Sequence, residues 1–301
     1  MAELGAELKA GVAGAGAFGG VHARKYAGAQ GVRLARLYDV DFARAQVLAG
    51  ELGCEATDDY AAFLDGLELV TLASPGATHA ELGLKALAAG AHLYVEKPLA
   101  VSLRDADALV AAAAKAGRVL ACGHQERVVF RAMGLLDLAE RPLTLESVRR
   151  GTPNTRNRDI SCVLDLMIHD LDLALALAGG EPVAVEAEGG FDTVRAEITF
   201  DNGLTATFEA SREAAARERT MALELPSGRV AVDFLSPTFE NRSAAPLNAD
   251  FAADEAARDP VGASVAAFVA AARGEGAPVA DGRAGARALD LALAVEHAAG
   301  L

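Results

Sequence analysis

The stretch AGVAGAGAFGGV, residues 10–21, sets the strongest limit on what this chain can fold into. An apolar run over 10–13 stops at Gly14, Gly16 and Gly19 complete a GxGxxG spacing, and a helix-like stretch follows from Val21. VRLARLYD (32–39) then reads as a strand ending on Asp39. Strand, glycine turn, helix and strand form one βαβ unit. In it the first glycine permits the tight turn, the second lets a pyrophosphate approach the backbone, and the third lets the helix pack on the strand. The pyrophosphate rests on the N–H groups of a helix N-terminus. Gly14, Gly16, Ala17, Phe18 and Gly19 are therefore candidate cofactor contacts. Asp39 lies 20 residues past the last glycine. A carboxylate there accepts the ribose hydroxyls and repels a 2′-phosphate, which predicts NAD over NADP. A helix-capping glycine turn without a ligand is the competing reading.

The alternation continues. ELVTLASP (68–75) reads as a strand, ATHAELGLKALAAG (77–90) as a helix with a glycine stop, and AHLYVEKP (91–98) as a strand. A helix over 102–116 and a strand over RVLACGH (118–124) follow. Alternating strands and helices imply a parallel, doubly wound sheet, with ligands at the carboxyl ends of its strands. Ser74, Glu96, Lys97 and His124 fall at such ends.

From residue 125 the rhythm changes. A helix-like segment (125–141) leads to a strand-like one (143–150), a loop (151–159) and a helix (161–178). PVAVEAEG, DTVRAEITF, LTATFEAS, RTMALELP and GRVAVDF then alternate apolar and polar residues, as strands of a mainly antiparallel sheet do. One face of that sheet suits the helix and the other a partner subunit. Residues 236–258 are loop-like, and 260–273 and 284–299 return to helix. The expected organisation is an α/β chain with a Rossmann domain over 1–123 and a second α/β domain over 124–301. Its C-terminal helix is expected to pack back on the first domain.

The helix 161–178 carries charge in an apolar setting. Asp165, His169 and Asp172 stand at i, i+4 and i+7, on one helical face, with Asp170 one step off it. Burying unpaired carboxylates costs several kcal/mol, so the stripe lines a cleft or is paired. A histidine one turn from a carboxylate suits proton transfer. A structural Asp–His pair is the second reading. Zinc or iron is a third, and no Cys/His cluster supports it, so no metal is expected. Between 127 and 158 stand seven arginines and no lysine, against four acids over 127–159. Arginine forks suit phosphate and carboxylate, so an anionic substrate fits, and Arg127, Arg156 and Arg158 are candidates for a diphosphate.

The net charge of −14 argues against a general nucleic-acid or anionic-membrane surface. The N-terminal stretch is acidic and glycine-broken, unlike a signal or transit peptide, and no uninterrupted apolar run is long enough to span a bilayer. The three cysteines are far apart, which points to a reducing cytoplasm.

GAGAFG (14–19), ASPGATH (73–79), VEKPLA (95–100) and DLMIHDLD (165–172) together resemble the Gfo/Idh/MocA oxidoreductase family across both halves of the chain. The resemblance implies a Rossmann domain followed by an α/β domain with an open, largely antiparallel sheet whose outer face builds homodimers or homotetramers. It implies cofactor contacts at Ser74, Pro75, His79, Glu96 and Lys97. Lys97 also reaches the substrate, His169 is the acid/base, and Asp165 supports substrate binding or proton transfer. Within the family, CGHQERVVFRA (122–132), the arginine-rich loop and VLDLMIHDLDLAL resemble the branch acting on UDP-N-acetylglucosamine and related nucleotide sugars. That likeness implies oxidation of a sugar 3-hydroxyl, feeding an aminotransferase that makes 3-amino sugars for lipid A. His124, at a strand's carboxyl end, and Asp172, on the helix stripe, are further candidate substrate contacts. Gln125 stands where relatives often carry an apolar residue, and Val128 where phenylalanine is common. Two other classes stand beside this one. The first is an enzyme for an unphosphorylated polyol such as inositol, or for a biliverdin-like or dipeptide-like substrate. The second is a non-catalytic dinucleotide sensor.

Overall fold

A computed structural model describes residues 7–153, 159–236 and 238–301. The chain divides into two compact units, 1–125 with 259–286, and 126–258 with 287–301. The segment 259–286 thus joins the first unit, and only 287–301 of the tail joins the second.

In the first unit strands and helices alternate: β1 (Leu8–Ala13), α1 (Ala17–Gly28), β2 (Val32–Tyr38), α2 (Phe42–Leu52), β3 (Glu55–Thr57), α3 (Tyr60–Leu64), β4 (Leu69–Leu72), α4 (His79–Ala88), β5 (His92–Val95), α5 (Leu103–Ala116) and β6 (Leu120–Cys122). The six strands run parallel in the order β3-β2-β1-β4-β5-β6. The order reverses between β1 and β4, and ligands of such sheets bind outside the strand ends at that reversal. The central strands are the most deeply covered, as strands packed on both faces must be: β4 is buried at every residue, whereas β1 and β2 carry exposed Lys9 and Arg33 near their starts. α1 begins at Ala17, four residues before the helix-like spacing starts, because Gly19 and Gly20 are tolerated inside it.

The second unit holds α6 (Glu126–Met133), β7 (Thr144–Arg150), α7 (Ile168–Ala178), β8 (Pro182–Gly190), β9 (Thr193–Phe200), β10 (Thr205–Ser211), β11 (Glu218–Leu225), β12 (Gly228–Asp233), β13 (Thr238–Asn241) and α8 (Glu255–Arg258). Its seven strands are ordered β13-β12-β11-β7-β10-β9-β8, antiparallel except for the parallel pair β7–β10. One face is apolar and buried (Leu145, Ala196, Ile198, Phe208, Met221, Leu223), and the other carries Glu146, Glu197, Glu209 and Arg195. Three local expectations change. α6 stops at Met133 because Gly134 takes φ +84°, so the helix over 125–141 is half as long as its spacing suggests. The loop-like 236–258 contains β13 and α8. The helix 161–178 opens with a π turn, Val163–Met167, before α7.

α9 (Pro260–Ala272) packs in the first unit, burying Val265, Phe268 and Val269 against Tyr26 and Tyr94. Burial of a side chain such as Phe268 stabilises by about 1.5–3 kcal/mol. The polar ends of the two tyrosines are satisfied. Tyr26 Oη meets Thr71 Oγ1 at 2.8 Å, and Tyr94 Oη meets Ser264 Oγ at 3.1 Å. α10 (Gly282–Ala298) ends the fold.

Candidate active site

The glycine turn has the shape a dinucleotide needs. Gly14 holds φ +101°, and a Cβ there would lie 2.6 Å from the Ala73 carbonyl oxygen. A Cβ on Gly19 would lie 1.7 Å from the carbonyl oxygen of Gly14, so nothing larger lets α1 sit this close to β1. At Gly16 a Cβ would meet nothing within 4 Å. That open side faces the start of α1, where Gly16 makes no side-chain cap, and Ala17 and Phe18 supply the first helical amides. A pyrophosphate fits there.

Asp39 is buried at the end of β2. Its Oδ2 accepts from the Ala15 amide at 2.8 Å and its Oδ1 from the Asp41 amide at 2.9 Å. Each carboxylate oxygen has a second lone pair for a ribose hydroxyl. Asp39 therefore also holds the glycine turn in place. Arg44 approaches its Oδ2 at 3.5 Å.

At the end of β4, Ser74 Oγ bonds Thr78 Oγ1 at 2.7 Å, and Pro75 begins the turn into α4. His79 is buried with Nδ1 2.8 Å from the Pro98 carbonyl oxygen and Nε2 2.9 Å from that of Ser74. Burial pushes its pKa below the ordinary imidazole value, against the two carbonyls, which raise it. The ring braces the ends of β4 and β5. Lys97 is half-buried just past β5, in a cis peptide with Pro98. Its neighbour Glu96 turns inward: Oε1 lies 2.7 Å from His22 Nε2 and accepts from Gln125 Nε2 at 2.6 Å. Gly123 makes room, since a Cβ there would lie 2.6 Å from Glu96 Oε2. Gln125 is thus the amide partner of a buried carboxylate, which is why an apolar residue does not suffice here. His124 is buried just past β6.

In the second unit the charged stripe resolves into three separate pairings. The Ser161 hydroxyl accepts from the Val163 and Leu164 amides at 3.1 and 3.2 Å, starting the π turn. A π turn takes about one more residue than an α turn, so positions before Ile168 are rotated relative to an unbroken α-helix. Asp165 Oδ2 lies 3.7 Å from Arg212 Nη1. Asp172, buried, takes a two-pronged bond from Arg127 at 2.7 and 2.8 Å. His169 Nδ1 lies 3.5 Å from Glu126 Oε1.

Glu126 is the centre that sequence reasoning misses. Arg149 donates to both its oxygens at 3.0 and 2.7 Å, Arg219 bridges to it from β11, and Arg149 also clasps Asp170 at 2.7 and 2.8 Å. Burial alone would raise its pKa. The charges of Arg149, His169 and Arg219 outweigh that and hold it well below the usual carboxylate range. Arg219 also lies over the Phe234 ring, 4.9 Å from its centre. Asp170, one step off the stripe, is buried inside this network.

The arginine excess of 127–158 shrinks accordingly. Arg127, Arg149 and Arg150 are matched by Asp172, by Glu126 and Asp170, and by Glu209 and Glu218, acids outside that window. Arg156 and Arg158 lie outside the described residues. A concavity on the polar face of the second sheet is lined by Glu146, Glu186, Glu188, Glu197 and Glu209 against Arg195, which bonds Glu209, so acids predominate there and disfavour an anionic sugar. Among the described residues no three His, Cys, Asp or Glu side chains are placed to hold a metal ion, and no helix is long and apolar enough to cross a membrane.

Comparison with known proteins matches both parts of the chain to one family. Residues 8–124 match the oxidoreductase family, NAD-binding Rossmann fold, and residues 146–230 match the GFO/IDH/MocA C-terminal domain. The chain is 36% identical over 306 residues to UDP-N-acetylglucosamine 3-dehydrogenase of Acidithiobacillus ferrooxidans, covering 97% of each. The solved structure of that enzyme superposes with a TM-score of 0.89, covering 97% of this chain and 98% of the other. An NAD(+)-dependent scyllo-inositol 2-dehydrogenase of Bacillus subtilis is 29% identical over 68% of each chain. The WlbA dehydrogenase of Bordetella pertussis, solved with NADH and UDP-GlcNAcA, shares the fold at a TM-score of 0.87 and 19% identity, covering 98% of this chain and 96% of that one.

Proposed function

Because the chain belongs to the Gfo/Idh/MocA oxidoreductase family, we propose that it oxidises the 3-hydroxyl of UDP-N-acetylglucosamine or a closely related nucleotide sugar, with NAD as electron acceptor. The observation that carries the substrate is the 36% identity running through 97% of both this chain and the Acidithiobacillus enzyme. The inositol dehydrogenase is similar over only 68% of its length.

When bound, NAD accepts the hydride from the sugar carbon. The residues of this chain do the rest. Gly14–Gly19 and the first amides of α1 would hold the NAD pyrophosphate, and Asp39 would accept from its adenosine ribose. His169 removes the hydroxyl proton as the carbonyl forms. Lys97 donates to the reacting oxygen and stabilises its developing negative charge. Asp165, beside Arg212, supports substrate binding. The Arg127–Asp172 pair fixes α6 on α7, which leaves Arg156 and Arg158 as the candidates for the diphosphate. The keto sugar formed at C3 is the substrate an aminotransferase needs, and the outer face of the second sheet is the surface on which copies of the chain associate.

Two measurements test this. With a panel of UDP-N-acetylglucosamine, glucose and inositol, kcat/KM is highest for the nucleotide sugar; a preference for inositol contradicts the assignment. Asp39→Asn keeps an oxygen acceptor for one amide but loses the charge. Calorimetric Kd values then show weaker NAD binding and discrimination against NADP reduced about tenfold, about 1.4 kcal/mol. An unchanged preference removes Asp39 as the selector.

A further inference from the structure

We propose that Glu126 is the positioning residue of His169: held between Arg149 and Arg219, its carboxylate directs the ring proton to Nδ1 and stabilises the imidazolium formed when Nε2 takes the substrate proton. The inference rests on the reading of His169 as proton acceptor. It moves the supporting carboxylate from Asp165, one turn earlier on the same segment, to a residue on a different helix.

The geometry supports Glu126 in three ways. Its Oε1 is 3.5 Å from His169 Nδ1, a charge contact longer than a hydrogen bond. Asp165 has a different neighbour, the Arg212 guanidinium at 3.7 Å. Second, Glu126 cannot turn away easily. Arg149 grips both of its oxygens, and Arg149 is itself fixed by Asp170 on α7, the residue after His169. The carboxylate and the imidazole are thus referenced to the same helix through one guanidinium. Third, the charges balance. Glu126 and Asp170 offset Arg149 and Arg219, so His169 meets a neutral cluster whose nearest member is negative. That arrangement favours a proton arriving on the ring without holding one there permanently. The charged groups of this cluster are Glu126 from α6, Arg149 from β7, Arg219 from β11 and Asp170 on the segment of His169; Asp165, one turn earlier, is offset by Arg212, which follows β10.

The cluster predicts shifts of opposite sign. Glu126→Gln leaves it with a net positive charge, so the imidazolium is disfavoured. Arg219→Gln leaves it net negative, so the imidazolium is favoured. Nitrogen-15 NMR of the six imidazoles reads this without substrate, the His169 signal being the one lost in His169→Gln. The native ring is protonated at Nδ1. Its titration midpoint falls by about 1 unit in Glu126→Gln and rises by about 1 unit in Arg219→Gln. The acid limb of the kcat/KM profile moves the same way in each variant, and Glu126→Asp restores most of the kcat that Glu126→Gln loses. A merely structural Glu126 changes yield and melting temperature but not the sign of these shifts. If Glu126→Gln does not fold, Glu126→Asp and Arg219→Gln still decide. Midpoints that stay put, or move together, overturn the proposal. Shifts of the expected sign in a protein that forms no NADH from any sugar overturn the substrate reading while supporting Glu126 on His169.

Discussion

Replacing His169 by Ala lowers kcat by about 10²–10⁴-fold, the range lost when a positioned acid/base is removed. NAD affinity is unchanged. The two effects separate because the glycine turn and Asp39 belong to the first unit and His169 to the second. Within the second unit the change is small. His169 is partly exposed, and Glu126 keeps Arg149 and Arg219 when the ring is gone. Stopped-flow NADH formation and calorimetric NAD binding check the pair of outcomes. A loss of NAD affinity that matches the loss of kcat would make His169 structural.

Gly19→Ala gives the second large effect, and Gly16→Ala is its counterpart. On Gly19 the new Cβ would stand 1.7 Å from the carbonyl oxygen of Gly14 and 2.8 Å from its carbon, both backbone atoms that no rotamer change can move. α1 must shift away from β1. The cost is about 1–3 kcal/mol of stability or more. With the turn displaced, NAD affinity drops at least about 100-fold. On Gly16 the Cβ meets nothing within 4 Å, so the variant keeps its stability to within about 0.5 kcal/mol. It is still expected to lose NAD affinity, because the methyl would occupy the open side on which a pyrophosphate bound at this turn would lie. Thermal melts with and without NAD distinguish the two. A Gly16→Ala protein that binds NAD as tightly as the native chain would mean the cofactor does not lie against this turn.

Much of the first unit is legible in the sequence because its signals are local. The glycine spacing, the apolar runs and the acid after β2 each follow from a few adjacent residues, and the parallel, doubly wound sheet follows from the alternation of strands and helices; its strand order appears only in the structure. The elements between 40 and 67 are harder to read. β3 has three residues and α3 five, too few for a period to show. In the second unit the residues that decide the charge of the site are distant in sequence. Arg149 meets Glu126 and Asp170, 23 and 21 residues away, and Asp172 meets Arg127, 45 residues away. A count of arginines over 127–158 cannot see those partners and so overstates the free positive charge. The i, i+4, i+7 stripe assumes one unbroken α-helix. The π turn at Val163–Met167 breaks that assumption where Asp165 sits, so the spacing alone does not show Glu126, on a different helix, 3.5 Å from the His169 ring. Gln125 is different in kind. Its departure from the family pattern is visible in the sequence, but its reason, the buried Glu96 carboxylate, is visible only in three dimensions.

The most direct test is absorbance of NADH with purified protein, NAD and UDP-N-acetylglucosamine, alone and with a 3-keto-sugar aminotransferase and an amino donor. Oxidation of a secondary alcohol by NAD runs uphill, so the uncoupled reaction stalls early. NADH that accumulates with the aminotransferase, together with a 3-amino product, is the predicted result. No NADH in either arm, from protein that binds NAD by calorimetry, would contradict the nucleotide-sugar assignment and leave the fold and family in place.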